Sequence, residues 1–301
     1  MNLCRFHDPN LGPQLGLIHQ DTVNNLSSLG YPHLQSLTDL LLWSCDQPGS
    51  LTDYLAGLLD QADSFALADL DSQAGGDATY LLRPIERQEV WAAGVTYERS
   101  RVARREESKG SDVYDRVYSA ERPEIFFKAT PNRVVGHNET LFIRNDSKWM
   151  VPEPELVVLF NPALQVIGYA VGNDLSSRDI EGENPIYIPQ AKIWSRCCGL
   201  GPTIVLADQV EDVTDLRIQI EIVRGGRNIF AGETTTARMT RSISHLSDFL
   251  GRDNEFPYGV FLLTGTGVVP PDDFTLNPGD RVDITIDIIG TLSNEIAYAT
   301  K

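Results

Sequence analysis

From about residue 81 onward, the chain is dominated by short segments of β-branched and aromatic residues that end at Gly, Pro or Asn. Such segments are typical of β-strands. They are Ile125–Lys128, Leu141–Ile143, Glu155–Phe160, Val166–Val171, Thr203–Leu206, Arg217–Val223, Gly259–Thr264 and Val282–Ile289. The sixth and the eighth alternate apolar and polar residues, as a strand with one exposed face does. Because only residues 242–250 and a polar stretch at 99–109 predict helices, this part of the chain is expected to be β-rich.

The first 80 residues have a different character. Leu15–Val23 is predicted to be a hairpin, and two stretches, Leu34–Trp43 and Leu51–Phe65, carry apolar residues at helical spacing. Thr52 is the predicted cap of the second helix. The acidic, Gly-rich residues 69–78 are typical of a linker. The sequence therefore predicts an α+β, β-rich fold, with a small α+β N-terminal domain at residues 1–80 and a larger domain at residues 81–301.

The overall charge argues against nucleic acids and anionic membranes as partners. The chain carries 25 basic and 42 acidic residues, a net charge of −17. This surplus disfavours binding to nucleic-acid backbones and to anionic membranes. No apolar segment approaches the about 20 residues that a membrane-spanning helix needs, and the N-terminus does not read as a signal peptide. The four cysteines show no Cys-x-x-Cys spacing, which disfavours a zinc site. We therefore expect a cytoplasmic protein that binds neither nucleic acid nor membrane.

Glu153 and Glu155 are the first candidate site residues. They lie two residues apart and run directly into an apolar strand. Side chains at this spacing point to the same side of a strand, with Cα atoms about 6.5 Å apart. Read alone, the pair fits equally a solvated strand face, where carboxylates are common.

A predicted hairpin brings a third carboxylate to the pair. Residues 161–165 join two apolar strands, so residues that face each other have numbers adding up to about 326. Glu153 is then opposite about Asn173, and Asp174 falls within one position of that partner. A bulge at Gly172 would supply the remaining shift. Carboxylates that converge in this way repel one another unless a cation lies between them, and a hard divalent ion such as Mg²⁺ suits an all-oxygen set.

Charged residues also surround other predicted strands. Lys192 ends a long polar segment that begins at Ser176, and it is interpreted as a base, an anion-binding group or an exposed lysine. Glu124 and Lys128 flank the apolar residues 125–127, so both lie at the ends of a strand. The sequence contains no P-loop, no Gly-x-Ser-x-Gly and no helix-opening Gly-x-Gly-x-x-Gly.

The order of these motifs resembles the fumarylacetoacetate hydrolase superfamily over residues 86–301. The motifs that carry the resemblance are Pro123–Lys128, Glu153-Pro-Glu155, Gly168–Asp174, Ser177-Arg-Asp179, Lys192, Gly199–Pro202, Thr264–Gly267, Pro278-Gly-Asp280 and Leu292-Ser-Asn294. The resemblance implies a catalytic domain of mixed β-roll type, with a homodimer or higher homo-oligomer as the assembly. It also implies that Glu153, Glu155 and Asp174 bind Mg²⁺, with Mn²⁺ or Ca²⁺ as alternatives.

One departure from the superfamily pattern narrows the expected chemistry. Its hydrolases and decarboxylases carry a His on a short lid helix, and Ser100 stands at that place in this sequence. Ser cannot act as a general base near neutral pH, which argues against water-driven C–C bond hydrolysis. The segment from Tyr97 to Lys109 is the predicted lid.

Three segments resemble the dehydratases of 2-keto-3-deoxy-D-arabinonate within this superfamily. They are Tyr114–Tyr118, Arg122–Lys128 and Arg178–Lys192. The resemblance implies that Glu124 and Lys192 form the acid/base pair. The substrate-binding residues that it implies are Lys128, Arg178, Gln190 and Thr266.

We therefore expect a metal-dependent lyase that dehydrates a 2-keto-3-deoxy sugar acid, a small 2-keto acid, through a metal-stabilised enolate. The alternatives are a C–C bond hydrolase of the acylpyruvase type and a 2-keto acid decarboxylase acting on oxaloacetate. A catalytically silent binding protein that retains the metal site is a further alternative.

Overall fold

The computed structural model describes residues 1–70, 78–97 and 117–299. The largest element is a 12-stranded mixed sheet with the order β4-β3-β2-β1-β14-β12-β11-β17-β6-β7, in which β5 also pairs with β1 and β8 with β14. Its strands are β1 Asn2–Asp8, β2 Gly12–His19, β3 Thr22–Asn25, β4 Asp63–Ala66, β5 Tyr80–Leu82, β6 Glu89–Gly94, β7 Glu124–Ala129, β8 Val134–Val135, β11 Pro154–Phe160, β12 Val166–Asp174, β14 Cys198–Leu206 and β17 Val260–Leu263.

Two smaller sheets complete the strand-rich fold. A five-stranded sheet has the order β16-β15-β18-β19-β9, and β10 pairs with β13. These strands are β9 Thr140–Ile143, β10 Met150–Val151, β13 Ser176–Ser177, β15 Arg217–Arg224, β16 Arg227–Thr235, β18 Arg281–Ile286 and β19 Gly290–Tyr298. The expectation of a mixed, β-rich α+β fold is therefore confirmed.

The α-helices of the described residues are few and short. They are α1 Leu37–Ser44, α2 Leu51–Ala56, α3 Arg178–Glu183, α4 Ile188–Lys192 and α5 Ile243–Leu250. The predicted helix over residues 51–65 is wrong in its second half, because α2 ends at Ala56 and residues 63–66 form a strand. Ser50, not Thr52, caps α2, since its side chain accepts a hydrogen bond from the backbone of Asp53.

The eight predicted strands are all strands in the structure. Strands β16 and β19 were missed because polar residues interrupt their apolar ones and much of β16 is exposed. The predicted helix at residues 99–109, Ser100 and most of the predicted linker lie outside the described residues. Within the described part of the chain, no helix is long and apolar enough to cross a membrane.

Strand β11 separates two hydrophobic cores. Leu156, Val158 and Phe160 pack into one core together with the isoleucines of the five-stranded sheet. Val157 and Leu159 point the other way and pack into a core shared with the N-terminal helices. This alternation is what buried strands require. Glu155 has the same parity as Val157, so its side chain points to the same face of the large sheet.

The large sheet curls onto itself at the site end. In the strand order β7 is four places from β12, which would separate the two strands by about 19 Å in a flat sheet. Nevertheless Lys128 on β7 reaches Asp174 on β12, with 2.6 Å between Nζ and Oδ1. A Lys side chain is too short to cross a flat sheet of this width. The curl, which is the β-roll, therefore brings the two strands together.

The N-terminal strands continue the large sheet. Asn2 and Leu3 on β1 pair with Val205 and Ile204 on β14. The predicted hairpin is formed by β2 and β3. The division into domains at residues 80 and 81 stays a prediction, because this pairing joins the two parts through backbone hydrogen bonds.

Candidate metal and substrate site

The hairpin of β11 and β12 has a register one residue away from the predicted one. Pro154 faces Asn173, so paired numbers add up to 327 along most of the hairpin. The register changes between Leu159 and Phe160, beside the tip, and not at Gly172 as predicted. This early bulge gives β12 one extra residue. As a result, the backbone N–H of Asp174 donates to the carbonyl of Glu153, at 3.0 Å.

The three predicted carboxylates meet at one place. One oxygen from each of Glu153, Glu155 and Asp174 lies within 4.8 Å of the other two. All three side chains are buried, with exposed fractions of 3%, 1% and 1%. A solvated strand face, the alternative that the sequence left open, is therefore excluded.

Three buried cations hold two of these carboxylates. The Nζ of Lys192 lies 2.7 Å from Oε2 of Glu153 and 3.0 Å from Oδ2 of Asp174. The other oxygen of Glu153 binds Arg178 at 2.6 Å, and the other oxygen of Asp174 lies 2.6 Å from Lys128. Each carboxylate thus contacts two cations, which offsets the cost of burying its charge.

Glu155 has a different environment. Its Oε2 accepts a hydrogen bond from the backbone N–H of Gly265, at 2.6 Å. Burial raises the pKa of Glu155 well above its ordinary value, and the negative charges of Asp174 and Glu153 raise it further. A divalent cation between the three carboxylates would oppose this shift, because it stabilises the charged form of Glu155. The buried, all-oxygen set therefore fits a hard divalent ion such as Mg²⁺.

Lys128 is anchored more firmly than a solvent-facing lysine. Besides Asp174, its Nζ donates to the backbone carbonyls of Leu175 at 2.9 Å and Lys192 at 2.6 Å. Burial is the largest single influence and lowers the pKa of Lys128, but the Asp174 carboxylate acts together with Cys197 and Cys198, and the pKa is raised overall. Lys128 is therefore a fixed positive charge that joins β7 to the end of α4.

Glu124 lies at the start of β7, on the same strand face as Phe126. It pairs with Gly94 on β6. A Cβ atom placed on Gly94 would overlap the Glu124 carboxylate, so only glycine leaves room for this side chain. The ring centre of Phe126, on this same face, lies 5.6 Å from Nζ of Lys192, so this face of β7 is turned toward the lysine that contacts two of the carboxylates.

The other predicted substrate-binding residues lie in different surroundings. Arg178 begins α3 and is 1% exposed. Thr266 follows Gly265 in the loop after β17, is 3% exposed, and its hydroxyl donates to the carbonyl of Val268 at 3.0 Å. Gln190 on α4 is exposed, and its backbone carbonyl accepts from Arg144 at 3.1 Å. The structure therefore places Arg178 directly at the carboxylates, Thr266 beside a residue that contacts them, and the Gln190 side chain at the surface.

Sequence reasoning missed two residues that hold the site in place. The hydroxyl of Ser176 accepts a hydrogen bond from Nζ of Lys192 at 2.6 Å. The side-chain oxygen of Asn173 accepts from the backbone N–H of Glu153 at 3.1 Å. Asn173 lies in the motif Gly168–Asp174, and Ser176 begins the polar segment that ends at Lys192. Their partners, however, depend on the hairpin register, which the sequence gives only to within one residue.

Comparison with known proteins agrees with this geometry. Residues 89–297 match the family described as "Fumarylacetoacetate (FAA) hydrolase C-terminal". A Haloferax volcanii protein named "Probable 2-keto-3-deoxyxylonate dehydratase" is 49% identical over 213 residues, 71% of this chain and 73% of that protein. The "2-dehydro-3-deoxy-D-arabinonate dehydratase" of Saccharolobus solfataricus is 46% identical over 225 residues, 73% of this chain and 76% of that protein.

A solved structure extends the similarity to the whole chain. It is described as "2-keto-3-deoxy-D-arabinonate dehydratase complexed with magnesium and 2,5-dioxopentanoate". Its TM-score to this chain is 0.82 at 34% identity, with 100% of both chains covered. The curled sheet and the N-terminal strands therefore belong to a known architecture.

Proposed function

Because this chain belongs to the fumarylacetoacetate hydrolase family, we propose that it is a divalent-metal-dependent dehydratase of a 2-keto-3-deoxy sugar acid, of the 2-keto-3-deoxy-D-arabinonate type. The observation that carries the proposal is the contact of Lys192 with Glu153 and Asp174 inside a buried carboxylate cluster. The activities named for the two relatives and for the similar solved structure support it.

We assign Glu153, Glu155 and Asp174 as the residues that would hold the metal, which we propose to be Mg²⁺, with Mn²⁺ or Ca²⁺ as substitutes. When bound, such an ion would polarise the 2-keto group of the substrate and so make the neighbouring C3 hydrogen more acidic. Lys128 and Arg178 keep two of the carboxylates in place through the contacts on their outer oxygens.

We propose that Lys192 and Glu124 transfer the protons. One of them removes a proton from C3 and the other protonates the 4-hydroxyl, so that the C4–O bond breaks and water leaves. The elimination leaves a double bond between C3 and C4, conjugated with the 2-keto group. Transfer of a proton from C5 to C3 then gives the enol of a C5 aldehyde, which tautomerises to the dicarbonyl product. Lys192 is buried beside the proposed ligands, and Glu124 lies on the strand face that curls toward them. Lys128, Arg178, Gln190 and Thr266 are proposed to bind the substrate.

The experiment that tests this proposal is an activity screen of 2-keto-3-deoxy sugar acids with added Mg²⁺. We expect Lys192→Ala to lower kcat by about 10²- to 10⁴-fold, the usual contribution of a positioned acid or base. We expect Glu153→Gln combined with Asp174→Asn to lose bound metal and activity together. Full activity of either variant would contradict the assignment.

The screen should include acylpyruvates and oxaloacetate, since the family alternatives are C–C hydrolysis and decarboxylation. Turnover of one of these, without dehydration of any sugar acid, would replace the proposed reaction by that alternative. A complete lack of turnover with Mg²⁺ and Mn²⁺ would favour a binding protein.

Two further parts of the proposal concern the protein's surroundings. We propose a homodimer or higher homo-oligomer, which light scattering coupled to size exclusion would test. We also propose a cytoplasmic location, which fractionation of the source cells would test.

A further inference from the structure

Lys192 contacts two of the three carboxylates that would hold a metal ion. Its Nζ lies 2.7 Å from Oε2 of Glu153 and 3.0 Å from Oδ2 of Asp174. The outer oxygens of the same two carboxylates are taken by Arg178 and Lys128. Both oxygens of each carboxylate are therefore already in contact with a cation, and Lys192 is the cation that Glu153 and Asp174 share.

An ammonium group and a divalent ion cannot both stay on these oxygens at low cost. A metal–oxygen bond to Mg²⁺ is about 2.1 Å, so an ion bound to both oxygens would lie about 3–4 Å from Nζ. At that distance two positive charges repel strongly, because few water molecules screen them in a buried site. Lys192 has an exposed fraction of only 1%.

We propose that Lys192 is the cation that the metal displaces: its ammonium group holds Glu153 and Asp174 together before metal binding and moves aside when the metal arrives. This inference rests on the proposed metal dependence. It adds that Lys192 opposes metal binding and substitutes for the metal in stabilising the fold. It also sets an order, in which the metal binds first and Lys192 then becomes available to the substrate.

The structure provides a place for the displaced ammonium group. Nζ of Lys192 already donates to Oγ of Ser176 at 2.6 Å and lies 5.6 Å from the centre of the Phe126 ring. The backbone carbonyl of Lys192 is fixed by Nζ of Lys128 at 2.6 Å. The movement is therefore a rotation of the side chain alone, with Ser176 kept as its partner and the aromatic ring as its neighbour.

Lys192→Met tests the competition, because methionine keeps a similar volume without the charge. After treatment with EDTA, we expect this variant to unfold about 5–10 °C below the wild type, since two buried carboxylates lose their shared cation. In saturating Mg²⁺ the difference should disappear. Binding of Mn²⁺, followed by electron paramagnetic resonance, should become tighter by on the order of tenfold or more, because the repulsion is gone.

Lys128→Met is the matched control. Lys128 also contacts Asp174, but it binds two backbone carbonyls that no metal can replace. We expect its unfolding temperature to stay low both with EDTA and with Mg²⁺. If Lys192→Met behaved in this same way, Lys192 would be an ordinary structural residue and the inference would be wrong.

Crystal structures of the wild type with EDTA and with Mn²⁺ give a second measurement, which does not depend on how well a variant folds. We expect Nζ of Lys192 to leave Oε2 of Glu153 or Oδ2 of Asp174 when Mn²⁺ is bound, and to keep Oγ of Ser176. Retention of both carboxylate contacts beside bound Mn²⁺ would overturn the inference.

The unfolding temperatures, the Mn²⁺ affinity and the crystal structures are all measured without substrate, so they test the displacement of Lys192 separately from the proposed reaction. A protein that shows the expected Mn²⁺ and stability responses but dehydrates nothing would refute the reaction and leave the competition intact. An active dehydratase in which Lys192→Met binds Mn²⁺ as the wild type does would refute the competition alone. A wild type that binds no Mn²⁺ would refute both.

Discussion

The buried charged residues of the site form ion pairs with one another. Glu153 contacts Arg178 and Lys192, and Asp174 contacts Lys128 and Lys192. Removing one charged member leaves its buried partners with less compensation, which is more costly than replacing a whole pair by apolar groups. The site residues therefore support the fold as well as the chemistry.

Glu153→Gln measures this coupling. We expect a loss of about 3–5 kcal/mol in the free energy of unfolding, because Arg178 and Lys192 remain buried without their shared carboxylate. Urea denaturation without added metal gives the value. Glu221→Gln, at an exposed position on β15, is the control and should change stability by less than about 0.5 kcal/mol. Equal effects of the two changes would mean that the pairs contribute nothing.

Gly94→Ala tests the position assigned to Glu124. The added Cβ would overlap the Glu124 carboxylate, so this side chain must rotate away while the strand pairing can remain. We expect kcat to fall by about 10²-fold or more, as for loss of a positioned acid or base. Gly57→Ala is the control, since its Cβ would come no closer than 3.5 Å to its neighbours. An active Gly94→Ala enzyme would remove Glu124 from the mechanism.

We expect His137 to contribute to the pH dependence of stability. Its Nδ1 accepts a hydrogen bond from the backbone N–H of Ser293 at 3.1 Å. Burial lowers the pKa of His137, although Asp283 and a backbone contact to Thr291 oppose the shift. The pKa of His137 is lower in the folded state than in the unfolded state. The contribution of neutral His137 to the free energy of unfolding is therefore fully present above the unfolded-state pKa. It is lost as the pH falls from that value toward the folded-state pKa.

The measurement is thermal unfolding of the wild type and of His137→Gln between about pH 7.5 and pH 5, on either side of the unfolded histidine pKa near 6.5. We expect the wild type to lose more stability over this range than the variant does. Parallel curves for the two proteins would show that His137 has no part in the pH dependence.

At the scale of elements, the bulge beside the hairpin tip determines the geometry of the site. Strands β11 and β12 could be predicted from their apolar residues, but a register is fixed by packing against other strands. The extra residue near Phe160 moves Asp174 into direct contact with the Glu153 backbone. Sequence reasoning therefore found the carboxylates and their neighbourhood but assigned their partners one residue away.

Helix α5 illustrates an element whose start the sequence does specify. The hydroxyl of Ser242 accepts a hydrogen bond from the backbone N–H of His245, at 3.1 Å, and caps the helix. We expect Ser242→Ala to cost about 1 kcal/mol of stability in urea denaturation. Ser247→Ala should cost nothing, because Ser247 lies inside the helix, where alanine is the better residue. A larger loss at Ser247 than at Ser242 would contradict the capping role.

At the scale of the whole molecule, the N-terminal residues and the rest share one sheet. Leu3 on β1 is fully buried and pairs with Ile204 on β14. A boundary at residue 80 was predicted from composition, which carries no information on such long-range pairing. The curl that brings β7 to β12 could likewise not be predicted from the pattern of residues, and only the family resemblance implied it.

Leu3→Ala tests whether the two parts unfold together. We expect a loss of about 2–5 kcal/mol, the usual cost of such a cavity, in a single transition. Trp43 reports on the N-terminal part, and Trp91 and Trp194 report on the remainder. Leu11→Ala, at a position that is 66% exposed, is the control and should have little effect. Two separate transitions would show that residues 1–80 form an independent domain.

The bridge that Lys192 forms between Glu153 and Asp174 also limits how this chain can diverge. A mutation that removes the charge of Lys192, Glu153 or Asp174 is expected to lower the stability of the fold. A substitution at one of these positions therefore persists only together with a second, compensating substitution. Selection for abundance then preserves the site even after selection for turnover has ended. A descendant that kept all these side chains would thus not, on that ground alone, have kept the reaction.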